Sequence, residues 1–498
     1  MLRVEVAIIG GGVTGLGIAR DLAQRGVTVA LFEKGDLASG TSGRAHGLLH
    51  SGARYAVKDP VSASECAREN RILKKIAPHV IEDTKGMFVA VEESDLEYEK
   101  SFLDGCKRSG VRVEELSTEE SFNREPYLNP NLIAAYQVDD AAVDPFRLAL
   151  ANFLDARNNN AQIFTYTPVR LLVKRGEVIG VRLVKSGEKV QADIVVNATG
   201  AWAGEVCKQA GVKLEVKPNK GTLVVISKRL TNTVLNRLRP PSDGDIIVPH
   251  QTTIILGTTS TYVKSPENLL PTKREVNLIL REGEKLMPLV RRLRVIRAFS
   301  GARPLLEGGS GREAARTFLV IDHEESGVEG LVTVTGGKLT TYRLMAERTA
   351  DLICTKLGLR APCRTDKEEL PEVPIRDTLE RYESLGKELG EEKDTVCECE
   401  MVTRSEIETA FRVLAAKTLG DVKRRTRMGM GECQAQMCAY RVADLMAESL
   451  GFKADETLDM LGDFLKEQWK NSRALEGSQK VQIEFFKTMY RLAGGLDE

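Results

Sequence analysis

No segment of the 498-residue chain approaches the roughly 18 uninterrupted apolar residues that a membrane-spanning helix needs, so no direct membrane insertion is expected. Met1-Leu2-Arg3-Val4-Glu5 has no basic n-region followed by a long apolar run, so no signal peptide is expected. Neither charge is in excess: Lys and Arg total 71, and so do Asp and Glu. A balanced chain has no general field to draw nucleic acid or an anionic membrane, so any basic site must be local. The nine cysteines are too few for a disulfide scaffold at this length. Four of them cluster, which fits an intracellular metal centre better. Internal repeats and low-complexity tracts are also missing.

With 42% hydrophobic residues, the chain is too long for one ordinary core, and two or three domains are expected. Residues 4–9 read as a buried strand. Glycines follow, then an apolar-periodic helix to about Gln24, then a second strand from Thr28 to Glu33. This is a βαβ opening. Gly10-Gly11-Gly12-Val13-Thr14-Gly15 satisfies G-x-G-x-x-G between strand and helix. Gly10 permits the tight turn, Gly12 lets a pyrophosphate approach the backbone, and Gly15 lets helix and strand pack closely. Glu33 closes the second strand, where a carboxylate accepts ribose hydroxyl bonds. The motif alone does not choose between FAD and NAD. Asn197-Ala198-Thr199-Gly200-Ala201-Trp202 ends a strand in small residues suited to passing under a dinucleotide. Thr335-Gly336-Gly337-Lys338 opens a late helix whose N-terminus would stabilise an anionic reduced flavin. Both favour FAD. A further helix is expected from about Pro145 to Arg157 with Asp144 as N-cap, and another near 272–286.

Thr41 to Tyr55 concentrates two of the five histidines, His46 and His50, with Arg44, Arg54 and Tyr55. A second polar set is Ser300-Gly301-Ala302-Arg303-Pro304-Leu305. A third is Gly336-Gly337-Lys338-Leu339-Thr340-Thr341-Tyr342-Arg343. With the glycine motif these segments resemble the FAD-dependent glycerol-3-phosphate dehydrogenase family, in particular the large catalytic subunit of its anaerobic form. The resemblance covers nearly the whole chain. It implies the fold of the glycine oxidase and D-amino-acid oxidase type: an α/β FAD-binding Rossmann-like domain interleaved with a sheet-rich α+β substrate domain, plus a small helical C-terminal cysteine domain. The implied FAD-dependent oxidoreductase domain is 1–363, with FAD-binding parts at about 1–85, 141–215 and 300–358. Its substrate-binding parts are about 86–140 and 216–299. Residues 364–395, charged and Pro-containing, read as a linker. The cysteine domain spans 396–450, and 451–498 is a helical extension.

Carried over by position, Arg54, Tyr55, Arg303, Lys338 and Thr340 are the expected substrate contacts, with Arg316 a further substrate-side arginine. A phosphate monoester wants several cationic donors, and arginine binds it bidentately. The expected cofactor contacts are Gly10, Gly12, Thr14, Gly15, Glu33, Lys34, Thr41, Ser42, Val169, Thr199, Gly200, Trp202, Gly336, Gly337, Leu339 and Thr340. The expected catalytic set is His50, Arg54, Arg303 and Lys338. Oxidation needs hydride transfer from substrate C2 to flavin N5 and removal of the hydroxyl proton. His50 is the leading base because imidazole carries a proton near neutral pH; its alternative role is a hydrogen bond to flavin or backbone. His46 is a second candidate, and His250 matches no motif.

Cys397-Glu398-Cys399 and Cys433-Gln434-Ala435-Gln436-Met437-Cys438 form two close pairs that can converge on one centre. Thiolates favour zinc or iron–sulfur, and the spacing within the pairs is not that of common zinc fingers. The pattern resembles the bacterioferritin-associated-ferredoxin-like domain, which implies a [2Fe-2S] cluster on all four cysteines. Lys423-Arg424-Arg425-Thr426-Arg427 reads as a solvated helix face, or else as a counter-charge for the thiolates or a docking patch. The resemblance implies oxidation of sn-glycerol 3-phosphate to dihydroxyacetone phosphate, with electrons leaving through the cluster to partner subunits and quinone. The expected location is cytoplasmic, at the inner face of the cell membrane through those partners. Competing readings are a 2-hydroxy-acid or amino-acid dehydrogenase on the same fold, and a metal-binding electron carrier with a vestigial flavin site.

Overall fold

The structure is a computed structural model that describes residues 2–306, 317–385 and 394–494. Arg316 therefore lies outside the described residues. Among the described residues, one sheet has eight strands and another nine. The eight-stranded sheet is laid on the opening βαβ unit. Strand Arg3–Ile9 pairs in parallel with Val29–Phe32 on one side and with Lys189–Asn197 on the other. Leu331–Gly336 then pairs in parallel with Lys189–Asn197, placing Val332 beside Val196 and Val196 beside Ile8. The inner parts of these strands, 6–9, 194–197 and 331–335, are buried on both faces, as their apolar-rich runs require. Helix Val13–Gln24 covers one face and packs between helices Pro145–Asn158 and Tyr342–Lys356. Asp144 caps the first of these flanking helices by accepting from the amides of Phe146 and Arg147.

The second sheet is mostly antiparallel and is built from 86–138 and 216–306. The chain leaves the nucleotide sheet after its first strands, builds part of the second, returns, and repeats the excursion. The domains are thus interleaved in sequence. The long strands Val216–Ile226 and Val295–Leu306 pair along their length and put Asn219 opposite Arg303. Helix Lys273–Leu286 packs on this sheet, with Thr272 and Glu275 forming its capping box. The late helix differs from expectation at its start. Gly336 and Gly337 are followed by a single 3-10 turn, Leu339–Thr341, and the α-helix begins at Tyr342.

The connecting segment after 363 is packed. Leu370, Val373 and Ile375 are buried in the main core, and Arg20 donates to the carbonyls of Thr365 and Glu368. The cysteine domain shares that core: Val402, Ile407, Leu419, Val422 and Val442, with Leu465 of the extension, belong to the same apolar cluster as Leu16 and Leu148. Beyond it, Ala474, Leu475 and Ile483 pack into the core of the second sheet.

The basic run 423–427 is not a solvated face. Arg425 is buried and grips Asp36 with both amino groups, at 2.6 and 2.7 Å, and Arg424 Nε joins at 2.6 Å. Arg427 bonds Glu400 at 3.0 Å and His250 Nε2 at 2.7 Å. Tertiary partners far away in sequence override the usual preference of a charge run for water. Burial alone would raise the Asp36 carboxyl, but Arg425 and Arg424 reverse this and hold it below the usual carboxylate range.

Removing one partner of such a buried pair leaves an uncompensated charge, which costs about 3–5 kcal/mol. Asp36→Ala should lower unfolding stability by that order at neutral pH. Because the folded pKa is depressed, the stabilisation is complete above the unfolded value and is lost as pH falls through the folded one. The gap between parent and variant in denaturant titrations should therefore close below about pH 4. A gap that stays constant from neutral to acid pH would show that the pair is not the source.

Candidate active site and cysteine centre

One cavity of about 920 Å³ runs from the glycine motif to the second sheet, at the upper end for a small-molecule site. Its nucleotide end is shaped by backbone. Gly10 has φ +112°, and a Cβ there would lie 2.7 Å from the Ala198 carbonyl oxygen. At Gly15 a Cβ would lie 2.0 Å from Gly10 O, so this glycine serves close packing rather than lining the cavity. Gly12 occupies the N-cap of helix Val13–Gln24 with no side-chain cap, leaving amide donors at the dipole end for a phosphate. Ser42 Oγ accepts from the Val13 amide at 3.1 Å. Glu33 accepts from the amides of Gly11 and Gly35, both at 2.7 Å, while burial pushes its carboxyl up. A cradle that any side chain would fill, ending in a buried carboxylate, fits a dinucleotide and its ribose hydroxyls.

Gly10, Gly12, Thr14, Glu33, Lys34, Thr41, Ser42, Val169, Thr199, Gly200, Trp202, Gly336, Gly337 and Leu339 all line this cavity. Thr340 does not: it is fully buried, and its hydroxyl accepts from the His50 amide at 3.0 Å. Lys34 and Trp202 close the rim together. The Lys34 ammonium sits 4.3 Å over the Trp202 ring, and both side chains bond Glu267.

The same cavity is also lined by His50, Arg54, Tyr55, Arg303 and Lys338. Gly52, at φ +99° and pressed against the Ala63 carbonyl, turns the chain into the 3-10 turn Ala53–Tyr55 that presents Arg54. Arg54 Nη2 donates to Asp245 at 2.6 Å. Arg303 projects from its strand across Gly221, where a Cβ would come within 2.5 Å of its guanidinium. It donates to Asn219, Thr258 and the Thr259 carbonyl. The Lys338 ammonium lies 4.5 Å over the Tyr55 ring, and the Tyr55 hydroxyl is 3.5 Å from His50 Nε2. His46 also lines the cavity, and burial, then Arg303 and Arg54, push its pKa down to about 3. It stays neutral at physiological pH. Sequence reasoning missed Asp245, and it gave Arg44 no role although its backbone and Cβ pack against Gly301.

The four clustered cysteines meet. Cys397 lies against Cys438, and Cys433 lies against both Cys399 and Cys438, near enough to shift one another's ionisation. Backbone amides of Gly429 and Glu400 point at Cys397, and those of Met437 and Ala435 at Cys433. Thiol donors, from Cys399 and then Cys438, hold Cys433 far towards the thiolate. A Cβ on Gly431 would collide with Cys399 Cβ at 2.5 Å. Among the described residues no group of His, Cys, Asp or Glu is set as ligands round one metal ion. The thiol set suits zinc or iron–sulfur chemically and does not choose between them.

The comparisons with known proteins choose. The family model for FAD dependent oxidoreductases matches residues 5–352. The chain is 41% identical over 530 residues to an anaerobic glycerol-3-phosphate dehydrogenase subunit of Haemophilus influenzae, covering 100% of this chain and 94% of that protein. It belongs to the FAD-dependent glycerol-3-phosphate dehydrogenase family. The corresponding anaerobic glycerol-3-phosphate dehydrogenase subunit of Haloferax volcanii is 43% identical, with 99% and 91% covered. Residues 395–448 match the model for the BFD-like [2Fe-2S] binding domain, so the cofactors of this family member are FAD and a [2Fe-2S] cluster. The fold matches that of glycerol-3-phosphate dehydrogenase from Bacillus halodurans complexed with FAD, at TM-score 0.69 and 22% identity over 94% of this chain and 95% of that one. Glycine oxidase from Geobacillus kaustophilus matches at TM-score 0.61 and 24% identity, over 74% and 99%.

Cys433→Ser should reduce or abolish bound iron and the low-temperature electron paramagnetic resonance of the dithionite-reduced protein. FAD content should be unchanged, because the nucleotide cradle shares no residue with the cysteine set. Full iron content in the variant would remove Cys433 from the ligands, and zinc in place of iron after anaerobic purification would overturn the cluster assignment.

Proposed function

We propose that this chain is the catalytic subunit that oxidises sn-glycerol 3-phosphate to dihydroxyacetone phosphate. The observation that carries the reading is the gathering of Arg54, Arg303 and Lys338 with His50 and Tyr55 in the wall of the cavity that the glycine motif also lines. Family membership and the names of the full-length relatives support it. Arg54, Arg303 and Lys338 bind the phosphate, whose charge needs several donors in a water-poor cavity. Tyr55 orients the substrate. His50 removes the C2 hydroxyl proton, with Thr340 fixing its backbone and Tyr55 its ring edge. Bound there, FAD would supply the hydride acceptor for the substrate carbon, and the cluster would supply the one-electron centre that a two-electron carrier needs in order to drain.

Gly10, Gly12, Thr14, Glu33, Lys34, Thr41, Ser42, Val169, Thr199, Gly200, Trp202, Gly336, Gly337 and Leu339 hold the FAD, and Gly15 lets the helix pack close behind them. Cys397, Cys399, Cys433 and Cys438 hold the cluster. Electrons leave on the side where Cys399 and Cys433 are half-buried and Met437 and Tyr440 are exposed. Partner electron-transfer subunits receive them there and deliver them to quinone at the inner face of the cell membrane. No helix among the described residues is long and apolar enough to cross a membrane.

Anaerobic glycerol 3-phosphate should bleach the flavin, while lactate, 2-hydroxyglutarate and glycine should not. Arg303→Ala should lose roughly 2–5 kcal/mol of transition-state binding, the usual cost of truncating a buried charged contact. Stopped-flow flavin reduction measures both. Equal reduction by a hydroxy acid, or an unaltered kcat/KM in the variant, would contradict the phosphate assignment.

A further inference from the structure

Arg54 is held from behind. Its Nη2 donates to Asp245 Oδ1 at 2.6 Å, with side chains 7% and 0% exposed. Its other amino group, Nη1, is buried with no hydrogen-bond partner, although Arg54 lines the cavity. An unpaired buried donor is costly, and it leaves the bond to Asp245 as the contact that holds the guanidinium in place. Asp245 is itself fixed. Its second carboxylate oxygen accepts from the Ser242 amide at 2.7 Å, and its carbonyl accepts from the Arg237 amide at 3.2 Å. The turn that carries it passes through Gly244 at φ +72° and leads into strand Ile246–His250. Pro241 and Ile246, on either side of Asp245, also line the cavity.

We infer that Asp245 is a positioning residue for substrate recognition: it locks one edge of the Arg54 guanidinium, so that the arginine stands in the cavity wall with a fixed plane and direction for an anionic substrate. This rests on the reading of the cavity as a glycerol 3-phosphate site. A guanidinium is a planar fork, so fixing one nitrogen and its plane fixes the direction of the other. Without the carboxylate, Arg54 keeps its charge but loses its direction, and substrate binding must order the side chain each time. The carboxylate touches no reacting atom, and its effect runs wholly through Arg54.

That dependence supplies the test. In the full chain loaded with FAD, Asp245→Asn should lower kcat/KM for glycerol 3-phosphate by about tenfold or more, mainly through KM. Flavin absorption and the rate of flavin reduction by dithionite should not change. Asp245→Glu, which keeps the charge, should fall between the parent and Asp245→Asn. In an Arg54→Met background, Asp245→Asn should cause no further loss, since the residue it positions is gone. If Asp245→Asn alone fails to bind FAD, the double variant, free of both buried charges, is compared with Arg54→Met: equal kcat/KM supports the inference and a further loss overturns it. An unchanged kcat/KM in Asp245→Asn would overturn this inference alone. A parent flavin that glycerol 3-phosphate does not reduce would overturn the substrate reading and this inference with it.

Discussion

Asp36 sits between Arg424 and Arg425, and through it two chemically different parts of the chain become one body. The carboxylate lies three residues beyond Glu33, the residue placed for the cofactor ribose. The two arginines stand on helix Leu419–Thr426, which packs into the same core as the cysteine ligands. Desolvating such charges is expensive, and only tight geometry offsets it. Here the geometry is tight, with distances of 2.6 and 2.7 Å. A second link runs through Arg427 from His250 to Glu400, next to Cys399. The cysteine domain is therefore not a passenger on a tether. Its place beside the FAD-binding unit is fixed by a shared apolar core and by buried ion pairs, which is what transfer between two redox groups needs.

The same economy of charge governs the substrate end. The chain as a whole carries no net charge, so attraction for an anion has to be local. On the proposed reading the cavity does this by bringing Arg54, Arg303 and Lys338 into one wall. Their supports differ in kind. Arg54 is held by a carboxylate, Arg303 by amide, hydroxyl and carbonyl oxygens, and Lys338 stands over an aromatic face. Burial keeps His46, in the same cavity, neutral.

How much of this was legible in the sequence follows from distance along the chain. The glycine motif, Glu33 and the Asp144 cap were readable because turn, helix end and carboxylate lie within one local unit. The fold type and both cofactors were readable because their motifs recur as blocks, and the comparisons bear them out. What pairs across the fold was not. Asp245 lies 191 residues from Arg54, and Asp36 lies 389 from Arg425, with no local signal at either end. The run at 423–427 read as solvated because most charge runs are, and only tertiary structure supplies the buried partners. Thr340 sits inside a motif that names the residue without saying which way it faces, and its hydroxyl turns to the His50 backbone.

The central claim is that one chain takes electrons from glycerol 3-phosphate and delivers them to its own cysteine centre. The direct measurement is anaerobic titration of the purified chain, without any partner, with glycerol 3-phosphate, followed by visible absorption and low-temperature electron paramagnetic resonance on the same samples. The account predicts that the flavin bands bleach and the signal of a reduced [2Fe-2S] cluster grows with added substrate. Bleaching of the flavin with a cluster that stays oxidised but remains reducible by dithionite would contradict it.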